Sequence, residues 1–452
     1  MISIGGIIGA GLFVGSSASI AAVGPAIVIS YLVAGLLVLL VMRMIGELAV
    51  SLPGVGSFTG FARIGLGDGA GFVSGWLYWY FWIITVAIES IAGANILHEW
   101  IPLPTWLLGI ALLSTMTAVN LMSTRSYGEV EFWFSTIKVV AIVGFIALAA
   151  AFAFGWPLHP ATFGNLTAHG GFAPHGVPSV LAGTVTVYFS LTGAEVATIA
   201  AVESTEPERA IAKMTTSIMI RIMTFYIGSI FLIVCVVPWT SIRAGESPFT
   251  LALSAMHLSG MGKAMSALIL VAVLSCLNSA FYVCSRVLLV LAECGDAPSK
   301  LVRLNARRVP SRSIWLSCLA GLLGIGAATA FPRTLFAFLV NASGALVIFI
   351  YIMVALAQIR IRRQRELART PEPAITMWLF PWLSYVAVGG MIAVLVAMAF
   401  TPAFAADFQF SLLALGVASA AYFVRRKCRS NIGQGELGTS VVSSGEICEN
   451  SP

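Results

Sequence analysis

Long apolar runs alternate with short polar or basic loops along almost the whole chain. A helix needs about 20 apolar residues to cross the hydrocarbon core of a bilayer. By that criterion we predict an all-α integral membrane protein with twelve transmembrane helices. Their approximate bounds are 3–22, 26–50, 70–98, 104–122, 130–154, 178–202, 217–239, 263–292, 314–331, 334–357, 378–400 and 406–424.

Glycines interrupt two of these runs, at residues 5–13 in the first span and 188–195 in the sixth. Glycine inside a helix costs about 1 kcal/mol, so these clusters favour a broken helix. Backbone groups freed by a break at membrane depth must be buried or must face a cavity. Breaks at matching positions of two halves indicate the substrate site of a secondary transporter. We therefore predict an inverted repeat of five plus five helices, about 1–154 and 178–357, with two further helices at about 378–424.

Composition and charge support the membrane assignment. The 452 residues are 59% apolar and 10% charged, whereas soluble domains are about 25% charged. The net charge of +6 comes from short loops between spans and does not indicate nucleic-acid binding. The bias of lysine and arginine between the loops predicts that both termini are cytoplasmic. We expect one transmembrane domain, residues 1–429, and a disordered polar tail, residues 430–452.

Three ionisable residues lie deep in predicted spans, where each costs about 2.5–3.5 kcal/mol on insertion scales. Glu89 either receives a substrate ammonium or bonds a neighbouring helix. Lys138, about 13 Å from the cytoplasmic start of its span, either bonds carbonyls of the first break as a fixed ammonium or loads and releases a proton. Glu195 follows the second break and either carries the coupling proton or pins the unwound segment. The helical face of Glu89 carries Trp82, Thr85, Val86 and Gly93.

The two breaks together present groups for both ends of a zwitterion. Gly9, Ala10 and Gly11 would expose N–H groups at the start of the second half-helix, where a carboxylate binds well. The end of the preceding half-helix and the second break offer carbonyls that suit an ammonium. An amino acid is the natural ligand. We predict no cofactor and no metal site, because the seven cysteines lack metal-binding spacing and are best explained as packed free thiols.

The residues of the first break resemble a known family. Residues 4–16 are similar to the first helix of amino acid permeases in the amino acid–polyamine–organocation superfamily, within its amino acid transporter family. The resemblance covers nearly the whole chain except the tail. Other matching stretches are Gly24-Pro25-Ala26, Pro53-Gly54, Gly56-Ser57-Phe58, Tyr127-Gly128-Glu129, Glu131-Phe132-Trp133, Lys138-Val139, Phe189-Ser190, Gly193-Ala194-Glu195, residues 275–280 and Gly295-Asp296-Ala297-Pro298.

The resemblance implies a proton-coupled symporter with a leucine-transporter-type fold in the cytoplasmic membrane. By position, Gly9, Ala10 and Gly11 would bind the substrate carboxylate, and Lys138 and Glu195 would be the coupling residues. A carboxylate at Glu89 fits 4-aminobutyrate, whose amino group stands several carbons from its carboxylate. Permeases for proline, aromatic amino acids, or glycine and alanine share many of these sequence motifs. The residues that would offer backbone carbonyls to the amino group are Ile7, Phe189 and Thr192, with Phe189 also closing over the substrate as a gate.

Three other functions fit the sequence less well. An exchanger of a metabolite for its decarboxylated product would share the fold and differ in its need for a counter-substrate. An ion channel is disfavoured, because no span shows the rings of filter residues that select ions. An enzyme is the weakest option, since the chain shows no nucleophile–base pair and no metal cluster. The oligomeric state stays open.

Overall fold

The computed structural model describes residues 8–55, 57–122, 127–156, 162–193, 195, 207–305, 309–331 and 334–435. Within these ranges all regular secondary structure is helical. The helices are α1 (Gly11–Val23), α2 (Ile27–Ser51), α3 (Phe58–Leu66), α4 (Asp68–His98), α5 (Thr105–Met122), α6 (Tyr127–Ala153), α7 (Gly176–Leu191), α8 (Pro207–Val236), α9 (Pro248–Ala255), α10 (Ser259–Glu293), α11 (Ser311–Ala330), α12 (Leu335–Leu367), α13 (Trp382–Phe400) and α14 (Pro402–Gly435).

The helices confirm a multi-pass membrane protein. In the described part of the chain, 9 helices are long and apolar enough to cross a membrane. Three shorter apolar helices, Gly11–Val23, Gly176–Leu191 and Met223–Val236, overlap the first, sixth and seventh predicted spans. The count of twelve crossings and the inverted repeat stay predictions.

The helices sort into two packed groups that meet at α12. In one group, α4 packs against α5, α10 and α11. In the other, α2 and α7 pack against each other and α2 packs against α8. Helix α12 contacts members of both groups, α4 as well as α7. Apolar burial drives helices together only weakly inside a lipid bilayer, so close backbone approach matters more. A Cβ on Gly344 of α12 would lie 2.0 Å from the carbonyl oxygen of Val185 in α7, which shows how tightly these helices pack.

Helix α1 begins with an irregular turn. Residues Gly11–Gly15 form a π-helical turn, and the α-helix proper runs from Ser16 to Val23. Such π-helical turns are rare and often mark functional sites. Gly24 ends the helix at φ +80°, a left-handed conformation that favours glycine. The preceding residues 1–7, including Ile7, lie outside the described part of the chain.

Helix α7 ends inside the bilayer-spanning run. Its last residue is Leu191, after which Thr192 is extended, with ψ 143°. Gly193 follows with φ +110°, in the left-handed region where a side chain would be strained. The helix therefore ends where the glycine pattern of residues 188–195 predicts an interruption.

The structure adds two short helices where the sequence predicted loops. Helix α3 has nine residues and α9 has eight, too few to cross a bilayer. The Ser57 hydroxyl caps α3 by accepting the Gly60 N–H at 3.2 Å. Helix α14 continues to Gly435, past the point where composition predicts the disordered tail to begin. Residues 436–452 lie outside the described part.

Candidate functional site

A small central cavity brings several of the predicted site residues together. Its volume is about 20 Å³, which is room for about one water molecule. The walls come from the start of α1, the middle of α4, the end of α7 and the middle of α10. The lining residues are Gly9, Gly11, Phe81, Trp82, Thr85, Glu89, Phe189, Thr192 and Cys276.

The carboxylate of Glu89 lies at the start of α1. Ala10, the N-cap residue of α1, donates its backbone N–H to both Glu89 oxygens, each at 3.2 Å. Glu89 also accepts a hydrogen bond from the Cys276 thiol. The side chain is 1% exposed, so both contacts are protected from water. The N–H predicted to hold a substrate carboxylate therefore holds a carboxylate of the protein.

Cys276 and Glu89 approach the backbone at residue 9 so closely that only glycine fits there. A Cβ at this position would lie 2.7 Å from Cys276 and 2.9 Å from Glu89 Oε1. Any larger residue would push Glu89 or α10 away from the start of α1. The glycine thus permits the contact between Glu89 and Ala10.

The start of α1 and the end of α7 are bonded to each other. Ser190 Oγ donates to the Gly11 carbonyl at 2.8 Å, and Tyr226 OH donates to the Ser190 carbonyl at 2.9 Å. A Cβ on Gly11 would lie 2.8 Å from the Ser190 Cα, so the backbones themselves are in contact. The start of α1 and the end of α7 therefore form one wall of the cavity.

The end of α7 supplies an aromatic ring and one weakly hydrogen-bonded backbone carbonyl, that of Phe189. Phe189 lines the cavity, and its ring centroid lies 6.0 Å from that of Phe81. The Thr192 N–H lies 3.0 Å from the Tyr188 carbonyl and 3.4 Å from the Phe189 carbonyl. The longer contact is weak, so the Phe189 carbonyl keeps most of its capacity to accept another donor.

Lys138 does not line the cavity but bonds a residue next to the cavity wall. Its side chain is 1% exposed, and Nζ donates to Ser275 Oγ at 2.9 Å. Ser275 precedes Cys276, which bonds Glu89, and the Lys138 charge interacts electrostatically with the Glu89 carboxylate. The structure thus places Lys138 beside Glu89. The predicted partners of Lys138 were carbonyls of the first break, and those of residues 5–7 lie outside the described residues.

Glu195 is fully buried but does not line the cavity. Its Oε1 accepts Tyr78 OH at 3.1 Å, and its Oε2 accepts Tyr351 OH at 3.0 Å and the Gly193 N–H at 2.9 Å. Tyr78 belongs to α4 and Tyr351 to α12. The carboxylate therefore ties the segment after α7 to two other helices. The two roles predicted for Glu195, carrying the coupling proton or pinning the segment after α7, both stay predictions.

Sequence reasoning missed part of the cavity wall. Helical spacing from Glu89 correctly gave Trp82 and Thr85 but not Phe81. Gly93, on the same predicted face, packs instead against Leu112 and Val273. The sequence indicated only that Cys276 packs as a thiol, yet it faces the cavity and bonds Glu89. Its position could have been found only from the partner helix, because nothing in its own sequence separates it from the other buried cysteines.

A small cavity where one apolar helix starts and another ends, inside a multi-pass protein, suits a membrane transporter. The family profile described as amino acid permease matches residues 1–428. The chain therefore belongs to the amino acid permease family, and it is a transporter and not an enzyme.

Individual relatives carry more specific names. The chain is 42% identical over 430 residues to a gamma-aminobutyric acid permease of Bacillus subtilis, covering 94% of this chain and 92% of the relative. It is 40% identical over 423 residues to a gamma-aminobutyric acid permease of Escherichia coli, covering 92% and 90%. It is 36% identical over 405 residues to an aromatic amino acid transport protein of Corynebacterium glutamicum, covering 87% of each chain.

Proposed function

We propose that this protein imports 4-aminobutyrate together with protons across the cytoplasmic membrane. The observation that carries the proposal is the contact of Glu89 with the Ala10 N–H, because it sets a carboxylate beside an anion-binding helix start. Relatives named gamma-aminobutyric acid permease at 42% and 40% identity support the substrate. The proposal includes twelve crossings, an inverted repeat and cytoplasmic termini.

Substrate binding exchanges one carboxylate for another. The N–H groups of Gly9, Ala10 and Gly11 take the substrate carboxylate, and Glu89 is released from Ala10. The freed Glu89 then pairs with the substrate amino group, aided by the carbonyls of Phe189, Thr192 and Ile7. This pairing suits a substrate whose charged ends stand several carbons apart.

Opening of the cavity depends on its aromatic wall. At about 20 Å³ the space does not admit a molecule of several heavy atoms. Phe189 stands against Phe81 at the wall where α1 and α7 meet. We assign Phe189 as the gate, whose rotation admits and then covers the substrate.

Proton coupling centres on the buried charges. Lys138 lies close enough to Glu89 for their charges to interact, so a proton bound at either changes the attraction between them. Protonating Glu89 would weaken its hold on Ala10 and favour the exchange of carboxylates. Glu195 stabilises the unwound end of α7 through its bonds to Tyr78 and Tyr351 and so couples that segment to α4 and α12.

Uptake of radiolabelled 4-aminobutyrate into proteoliposomes under an inward proton gradient tests the function. We expect saturable uptake that a protonophore abolishes and that excess alanine, proline or phenylalanine leaves in place. Strong transport of an α-amino acid without 4-aminobutyrate uptake would reject the substrate. Uptake only after preloading with a counter-substrate would instead indicate an exchanger. Uptake unchanged by both Lys138→Ala and Glu195→Gln would remove these residues from coupling.

A further inference from the structure

A second cavity lies between the first turns of α12 and α14, far along the chain from the central site. Its volume is about 490 Å³. In the proposed orientation, in which both termini are cytoplasmic, this end of both helices lies on the outer side of the membrane. The lining residues are Phe331, Thr334, Leu335, Ala337, Phe338, Asn341, Ala403 and Asp407.

Asp407 gives this cavity a negative charge. The side chain is 7% exposed and lies five residues beyond the start of α14 at Pro402, or about 7–8 Å along the helix. Its Oδ2 accepts a hydrogen bond from Asn341 Nδ2 at 2.8 Å. Within the described ranges, Asp407 forms no ion pair with a lysine, arginine or histidine. A buried carboxylate is costly without a counter-charge, and such residues in membrane spans are functional by default.

A hydrogen-bonded chain fixes the orientation of this carboxylate. Thr186 of α7 donates its hydroxyl to Asn341 Oδ1 at 2.7 Å, which directs the amide nitrogen of Asn341 toward Asp407. Thr186 is 1% exposed and Asn341 is 6% exposed, so the chain is buried throughout. One carboxylate oxygen is held by Asn341, and the other remains for a ligand in the cavity.

The lining selects the kind of cation. A small inorganic cation needs several oxygen ligands, but the only oxygen-bearing side chains of the lining are those of Asp407, Asn341 and Thr334, and the Asn341 oxygen already accepts from Thr186. The volume is far larger than such an ion. Phe331 and Phe338 offer aromatic faces that attract ammonium groups. A primary ammonium supplies N–H donors to the carboxylate and an apolar body to the rest of the wall.

We propose that this outer cavity binds a primary ammonium group at Asp407. The group has two sources with the same chemistry, a free amine from the medium and the ethanolamine headgroup of a phospholipid. The proposal does not depend on which amino acid the central site transports.

Binding of radiolabelled butylammonium to the purified full chain in detergent tests the proposal by equilibrium dialysis. We expect saturable binding that Asp407→Asn weakens by about tenfold to a hundredfold, the loss of one charge-assisted hydrogen bond. Ala403→Trp, which fills the cavity and keeps the Asp407 side chain, should also prevent binding. Gly144→Ala in α6, where nothing lies within 4 Å of the added Cβ, should bind as the parent chain does.

Native mass spectrometry from vesicles of phosphatidylethanolamine and phosphatidylcholine separates the two sources. Phosphatidylethanolamine retained by the parent chain and lost from Asp407→Asn identifies the headgroup as ligand, because the choline headgroup has no N–H to donate. Butylammonium binding without retained phosphatidylethanolamine identifies a free amine.

Three outcomes would overturn the proposal. The first is equal binding by the parent chain, Asp407→Asn and Ala403→Trp. The second is binding lost only in Glu89→Gln, which would move the amine to the central cavity. The third is the absence of both butylammonium binding and retained phosphatidylethanolamine.

Discussion

Two buried glutamates, one at the start of α1 and one just after the end of α7, have different surroundings. Glu89 lines the central cavity and bonds one backbone N–H, that of Ala10, and one thiol. Glu195 lies behind the cavity and accepts from two tyrosine hydroxyls and the Gly193 N–H. A carboxylate with several firm donors holds its surroundings in place, whereas one with few donors beside a cavity can exchange partners. The contrast is the basis for our proposal that Glu89 meets a ligand and that Glu195 holds its surroundings in place, although both are acidic residues in apolar segments.

The contact between the start of α1 and the end of α7 should be the part of the site that is most sensitive to substitution. Gly11→Val places a side chain within 2.8 Å of the Ser190 backbone and forces α1 away from α7. We expect uptake to be abolished and stability against denaturant to fall by about 2–3 kcal/mol, the usual cost of overpacking. Gly144→Ala in α6 is the matched control, because nothing lies within 4 Å of its added Cβ. Uptake retained by Gly11→Val would show that the close approach is not required.

Removing the Glu195 side chain should destabilise the protein more than any change at Glu89. Glu195→Ala leaves the hydroxyls of Tyr78 and Tyr351 buried without their acceptor. An unsatisfied buried donor costs about 1–3 kcal/mol, so we expect a loss of about 2–5 kcal/mol in the free energy of unfolding. Denaturant titration of the purified protein measures this loss. Unchanged stability with lost coupling would instead favour the proton-carrying role of Glu195.

Glu89→Gln should act on binding and not on folding. Glutamine keeps the shape and one acceptor for the Ala10 N–H, so stability should change by less than about 1 kcal/mol. Affinity for 4-aminobutyrate should fall by about tenfold to a hundredfold, because the charged partner of the amino group is lost. 4-Hydroxybutyrate lacks the ammonium charge, so the affinity for this competitor should fall less. Equal losses for both compounds would mean that Glu89 does not face the amino group.

The smallest effect should come from single donors to Glu195. Tyr351→Phe removes one of the hydrogen bonds to this carboxylate and leaves the Tyr78 and Gly193 bonds in place. We expect a loss of about 1–2 kcal/mol in stability and little change in substrate affinity. Thermal and denaturant unfolding, measured beside Tyr78→Phe, would show whether the two hydroxyls contribute alike. A large loss of affinity from Tyr351→Phe would place the Glu195 cluster in the binding site.

Local features of the chain account for what could be predicted. The lengths of the apolar runs gave the helical membrane fold, because crossing a bilayer sets a minimum length that any apolar segment must meet. Glycines at residues 188–195 gave the end of α7, since Gly193 adopts a conformation that favours glycine. Helical spacing placed Thr85 and Trp82 beside Glu89.

Contacts between distant segments were decided by the tertiary structure alone. Ala10 and Glu89 are 79 residues apart, Lys138 and Ser275 are 137 apart, and Glu195 and Tyr351 are 156 apart. No period or motif within one segment specifies which distant donor a buried carboxylate meets. The sequence by itself therefore determined which charges lie in apolar segments and where α7 ends. Only the packing of α4, α10 and α12 around the start of α1 and the end of α7 decided that Glu89 faces a cavity and that Glu195 does not, because hydrogen-bond partners are set by helix arrangement.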